Sequence, residues 1–252
     1  MLGRSGLVAG RLGVASSYGV PAASVEKAFE CGVNYLYWGS RRTAEFRNAL
    51  RHLAPRRDRY VLVVQSYSRF ANLLRWSFER ALREIPTDYA DVLLLGLWNK
   101  SIPLRVMDAA RSLRDRGLVR HLAVSAHHRP VVPVFASGGD FDVLHFRYNA
   151  VHRGAERDIF PELPPAGGPG LVAYTATNWG GLLNPKRIPA GERVPTAADC
   201  YRFVLSRPEV DVCLTGPANA AELDDALQAL GRGPMDAIEL AWMRRVGDAL
   251  YK

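Results

Sequence analysis

Apolar residues return along this chain in two alternating rhythms. Short unbroken runs such as Val61-Leu62-Val63-Val64 and Val92-Leu93-Leu94-Leu95 alternate with stretches where apolar positions recur every three or four residues. The unbroken runs read as strands buried on both faces, and the wider spacing reads as amphipathic helix. The pattern predicts strands at residues 11–15, 34–38, 60–66, 91–97, 119–125, 141–149, 170–175 and 210–214. Helices are predicted at 21–31, 42–53, 72–85 and 103–116, a poor one after Pro130, then at 155–163, 196–207, 220–230 and, last, 235–250. Pro21 suits a first helical turn. Leu73, Trp76, Ala81 and Leu82 mark the apolar face expected for helix 72–85, and Trp242 that of the last helix.

A strand-helix alternation repeating at about thirty residues is the signature of parallel β-α-β units. Eight such units predict an α/β chain closed into a (β/α)8 TIM barrel, forming a single domain over residues 1–252. No Gly-x-Gly-x-x-Gly follows the first strand and no phosphate-binding Gly-x-x-x-x-Gly-Lys occurs, which speaks against open nucleotide-binding sheets.

Composition narrows the class. With 48% apolar and 23% charged residues the chain reads as globular. It has no apolar run of spanning length, so no membrane segment is expected. The first ten residues lack the apolar core of a signal peptide, so a cytoplasmic location is expected. Cys31, Cys200 and Cys213 show no paired spacing and are expected to be buried thiols. The formal net charge is +8. The basic residues are almost all Arg, with Lys only at 27, 100, 186 and 252, and they mix with acids along helix faces, as in Arg75, Glu79, Arg80, Arg83 and Glu84. That reads as a solvated surface rather than a nucleic-acid stripe. No His pair or His-Glu cluster has metal-ligand spacing, so no metal is expected.

The stretch Gly32-Val33-Asn34-Tyr35, running into a polar loop at a strand end, resembles the second strand of the aldo-keto reductase family. Five further segments resemble that family in the same order. Leu2 to Leu7 with Arg11-Leu12-Gly13 is similar to its opening hairpin and first strand. Thr87 to Leu95 is similar to its approach to strand four, and Gly117 to Ser125 to strand five. Tyr148-Asn149 with Arg153 and Glu156 is similar to strand six, and Val172-Ala173-Tyr174 up to Gly181-Leu182-Leu183 to strand seven and its loop. The resemblance implies a barrel with an N-terminal hairpin and an extra C-terminal helix. It also implies reduction of carbonyls with NADP(H), using an Asp, a Tyr, a Lys and a His at the strand ends. Here those positions carry Tyr37, Arg42 (or Arg41), Gln65 (or Ser66) and Gly96. A neutral amide cannot stabilise a tyrosinate as an ammonium does.

On the cofactor side the resemblance implies NADP(H) at a weakened site. Tyr174 matches the residue that stacks on the nicotinamide, Ser125 a carboxamide ligand, and Gly216 the phosphate-binding turn. Ala126 and His145 replace the family's Asn and Gln, Ala226 replaces a second Asn, and the turn after strand eight has no basic residue. The long connection 178–195 matches the segment that folds over the cofactor, and no counterpart of the long C-terminal substrate loop of larger members is expected.

Residues two apart share a strand face, so His145, Arg147 and Asn149 are expected to point together into the mouth. Tyr37, Arg42, Gln65, His145 and Arg147 are the candidate catalytic group: a phenol activated by a neighbouring guanidinium, and an imidazole titrating near neutral pH. Trp38, Trp98, His127 and Asn149 are the candidate substrate contacts, for a polar or anionic small molecule with a flat part. His121 reads as a structural hydrogen-bonder, and His52 and His152 as surface residues. Three functions stay open: an enzyme with a remodelled and non-redox site, an NADP-dependent carbonyl oxidoreductase with an unusual proton donor, and a non-catalytic ligand- or partner-binding relative.

Overall fold

The unbroken apolar runs do become strands. The computed structural model describes residues 1–39, 41–164 and 166–251. Its strands are β1 (Leu12–Ala15), β2 (Tyr35–Trp38), β3 (Val61–Ser66), β4 (Ala90–Leu95), β5 (Val119–Ala126), β6 (Val143–Arg147), β7 (Gly170–Tyr174) and β8 (Val212–Thr215). All pair in parallel, each with its chain neighbour, and β8 pairs with β1 to close the barrel. The helices are α1 (Ala22–Glu30), α2 (Ala44–Leu53), α3 (Ala71–Glu84), α4 (Leu104–Asp115), α5 (Val131–Ser137), α6 (Ala155–Asp158), α7 (Ala197–Leu205), α8 (Ala220–Arg232) and α9 (Ala237–Leu250). The chain is therefore the (β/α)8 barrel that its repeat predicts, with an additional C-terminal helix. Among the described residues, no helix is long and apolar enough to cross a membrane.

Strand alternation divides the apolar residues into two cores. Tyr35, Tyr37, Val61, Val63 and Val92 point into the barrel. Leu36, Trp38, Leu62, Val64 and Leu93 point outward against the helices. Each fully buried side chain of this kind stabilises the fold by about 1.5–3 kcal/mol. Leu2 closes the floor: its N–H donates to the Leu7 carbonyl at 2.8 Å, Gly3 pairs with Pro169, and its side chain joins the interior cluster. The opening segment is thus a tight turn held by that bridge.

Several expectations are corrected. The buried stripe of α3 is Leu74, Phe78, Ala81 and Leu82, whereas Leu73 and Trp76 lie outside it and Trp76 is 53% exposed. The i, i+4, i+7, i+8 set wins because it makes one continuous face. Cys31 is exposed at the end of α1, while Cys200 and Cys213 are buried. The helix expected at 155–163 stops at Asp158 and resumes as a short 3-10 turn, Phe160–Glu162, because Pro161 has no N–H to continue it.

The last helix braces the loop after β6. Gly247 lies against the Ala150 backbone, Arg244 donates to Glu156 at 2.8 Å, and Arg153 pairs with Asp248.

Candidate functional site

Backbone strain concentrates at one end of the barrel. Arg42, Leu97, Thr175, Asn178 and Trp179 all have φ between 51° and 62°. Each follows the C-terminal end of a strand: β2, β4 or β7. Such conformations cost about 1–3 kcal/mol each for non-glycine residues and gather where a site demands them. This is also the end where (β/α)8 barrels carry their chemistry. Two surface cavities, of about 500 and 340 Å³, open at the opposite end, around Thr87 and Leu118 and around Gly3 and Pro169.

Inside the barrel, the Tyr35 hydroxyl and His145 Nε2 are 2.8 Å apart. Both residues are sealed, at 0% and 2% exposure. Burial pushes the His145 pKa down to about 3, so the ring stays neutral at physiological pH. Tyr37 lies in the next layer toward the mouth, its ring centroid 6.3 Å from that of His145. Burial, followed by the neighbouring phenols of Tyr67, Tyr35 and Tyr174, pushes its pKa well up. Against the expected acid-base pair, burial moves both groups away from neutral pH, His145 downward and Tyr37 upward. Arg42 is not the expected activator either. It is exposed, and its guanidinium donates to the Tyr18 carbonyl at 3.3 Å in the loop after β1.

The loop after β4 is built around a missing side chain. A Cβ at Gly96 would stand 2.5 Å from Tyr67 Cδ1 and 2.6 Å from Gln65 Nε2. Tyr67 and the half-buried Gln65 therefore fill the space that a side chain at 96 would take. Arg69 donates to the carbonyls of Gly96 and Leu97 at 2.8 and 3.0 Å, with its guanidinium 4.1 Å from the Trp98 ring centroid. Trp98 belongs to the outer core, as does Trp38. Neither contributes to the mouth as the sequence suggested, because each falls on the outward face of its strand or loop.

Two other candidates are committed to scaffolding. Asn149 is fully buried; its Nδ2 donates to the Thr175 carbonyl at 2.8 Å and its Oδ1 accepts from the N–H groups of Val151 and His152. It turns the chain out of β6 and pins the strained start of the loop after β7. Ser125 Oγ accepts the Leu97 N–H at 2.8 Å, which holds the loop after β4. The Tyr174 hydroxyl donates to the Ala126 carbonyl at 3.2 Å, and the His127 ring lies 5.8 Å from the Tyr174 ring.

Arg147 does reach the mouth. It ends β6 on the inward face, is half-buried, and sits in register with Tyr174. Its charge acts on His127 and, across the loop after β6, on His152; both imidazoles have pKa values lowered by burial and then by Arg147. His152 was read from sequence as a surface residue. Its place follows from Asn149 and α9, and nothing local announces it. Tyr35 was missed for a similar reason: its partner lies 110 positions away.

The turn after β8 is occupied by the protein's own groups. A Cβ at Gly216 would lie 2.6 Å from Tyr18, so that ring covers the glycine. At the start of α8 the Glu222 carboxylate accepts from the Ala218 N–H at 2.8 Å and from Asn219 Nδ2 at 3.0 Å. Among the described residues, no group of three or more His, Cys, Asp or Glu is placed to hold a metal ion.

The profile of the aldo/keto reductase family matches residues 21–194. The chain belongs to this family. No curated protein matches it in sequence. Among solved family members, the aldo-keto reductase AKR11C1 from Bacillus halodurans superposes with a TM-score of 0.78 at 18% identity, over 100% of this chain and 96% of that one. An aldo/keto reductase from Klebsiella pneumoniae, in complex with NADP and acetate, gives 0.76 at 21% identity, over 95% and 92%. A putative 2,5-diketo-D-gluconic acid reductase B gives 0.77 at 19%, over 100% and 92%. At these identities the superpositions establish the shared barrel. In this barrel the Tyr35–His145 pair is sealed inside, and Arg147 at the mouth forms no ion pair among the described residues.

Proposed function

We propose that this aldo/keto reductase family member binds a small molecule at its barrel mouth and does not reduce carbonyls with NADP(H). The observation that carries this reading is the environment of Tyr37 and His145. A general acid or base works best with a pKa near the operating pH, and burial moves these two groups away from it in opposite directions. The positions that the family resemblance assigns to Asp, Tyr, Lys and His carry Tyr37, Arg42, Gln65 and Gly96, and Tyr67 packs into the space beside Gly96.

The residues on the cofactor side do not fit NADP(H) either. A helix N-terminus can receive a phosphate through free N–H groups. Here Glu222 takes that position with a negative charge of its own. Tyr18 covers Gly216, Ser125 is bonded to Leu97, and His127 flanks the Tyr174 ring.

A second reading keeps the family's NADP-dependent chemistry with a different proton donor. The retained Tyr174 and Ser125, and the NADP complex of the Klebsiella pneumoniae protein, favour it. Titrating the intact chain with NADPH, and then adding simple aldehydes, separates the two. The proposal expects neither micromolar binding nor NADPH oxidation. Turnover at rates ordinary for a reductase establishes the second reading.

A further inference from the structure

We propose that Arg147, flanked by His127 and His152, is the binding site for an oxyanion-bearing small molecule, a phosphate ester or a carboxylate. The inference rests on the reading of the mouth as a ligand site and names the chemistry that the site takes.

The first support is the electrostatic isolation of Arg147. A buried or half-buried guanidinium normally finds a carboxylate. Three acids on α6 and α9, the elements beside the loop after β6, are already paired. Asp158 is held by Arg129 and Arg157, Glu156 by Arg244 and the Tyr148 hydroxyl, and Asp248 by Arg153. Among the described residues Arg147 forms no ion pair and no side-chain hydrogen bond. Of the charged groups that perturb His127 and His152, all are Arg: Arg147 for both, with Arg129 for His152. Among the described residues, Arg147 and these two imidazoles thus have no carboxylate paired with them.

The second support is that the scaffold fixes these groups from three directions. Arg147 projects from the end of β6. The loop with His127 is held by Asn99, whose Oδ1 accepts the N–H groups of His127 and His128 at 2.8 and 2.9 Å. The N–H of His152 is held by Asn149 at 2.8 Å. Loops anchored in this way lose less entropy on binding than mobile ones. The guanidinium presents paired N–H groups that match a carboxylate or phosphate edge.

The test is calorimetric titration of the intact chain with inorganic phosphate and, separately, with benzoate, repeated on Arg147→Ala, Arg147→Lys and His127→Ala. Saturable binding of at least one anion is expected, weakened at least about tenfold in Arg147→Ala and less in Arg147→Lys, which keeps the charge but not the fork. An unchanged thermal midpoint in Arg147→Lys shows that the loss is local. Phosphate alone identifies a phosphate ester, benzoate alone a carboxylate. Binding equal in all variants, or no saturable binding of either anion, overturns the inference. NADPH-dependent turnover would overturn the functional reading on a separate readout and would leave these titrations standing or falling independently.

Discussion

Tyr35 and His145 meet at 2.8 Å inside the barrel, joining β2 to β6 across its interior. The pair occupies the level beneath the mouth, where the Tyr37 ring lies tilted against His145 with centroids 6.3 Å apart. A buried hydrogen-bonded pair of this kind adds specificity to an otherwise apolar interior, and leaving one partner unsatisfied costs about 1–3 kcal/mol.

The pH dependence of stability follows from that burial. The folded-state pKa of His145 is about 3, against about 6.5 in an unfolded chain. Between these values the unfolded state binds the extra proton, so stability rises with pH. The contribution is complete above about pH 6.5 and is lost as pH falls toward 3, at about 1.4 kcal/mol per unit. Urea denaturation from pH 7 to pH 4 should show a steeper loss in the wild type than in His145→Leu. Parallel curves would mean that the imidazole is hydrated in the native state.

The filled space at Gly96 makes a sign-specific prediction. Gly96→Ala should destabilise by about 1–3 kcal/mol through overpacking against Tyr67 and Gln65. Combining it with Tyr67→Ala should recover most of that loss, giving a coupling term in a double-mutant cycle. Strict additivity would show that Tyr67 swings away freely.

Thr175 tests the strain at the mouth. Its φ of 62° is unfavourable for a β-branched residue. Thr175→Gly should therefore stabilise the chain by about 1 kcal/mol, relief of strain outweighing the added freedom of the unfolded glycine. A fall in thermal midpoint would show that the Thr175 side chain contributes more than its backbone costs.

At the start of α8, the internal carboxylate sets the expectation for phosphates. Glu222→Gln together with Ala218→Arg removes the negative charge and supplies a cation beside the turn. NADPH affinity should rise at least about tenfold over the wild type in a fluorescence titration. Equal, tight binding by both chains would show that Glu222 does not oppose the phosphate.

The resemblance to aldo/keto reductases was legible because its segments are local: Gly32 to Tyr35, Gly117 to Ser125, and Tyr148-Asn149 can each be read without knowing what they touch. Membership, confirmed by the match over residues 21–194, follows from their order. The roles of individual residues were less legible. Asn149 and Ser125 read as ligand contacts, and the structure shows each bonded to the backbone of a neighbouring loop, since an amide or hydroxyl reads the same whether its partner is a ligand or a backbone group.

By itself, the sequence determined the barrel. Eight apolar runs alternating with amphipathic stretches need only local periodicity to become eight buried strands and their helices. The tertiary structure alone decided which residues face inward and what they meet. In β2 every residue is buried, so nothing in Tyr-Leu-Tyr-Trp marks the parity that sends Tyr35 and Tyr37 inside and Trp38 outside. Closure of the sheet imposes that parity, and it then brings together groups far apart in the chain. It seals His145 against Tyr35 and leaves Arg147, two residues on, half-buried at the rim with no ion pair among the described residues. Burial and charge pairing depend on distances that exist only after the barrel has closed, and these set the properties of the site.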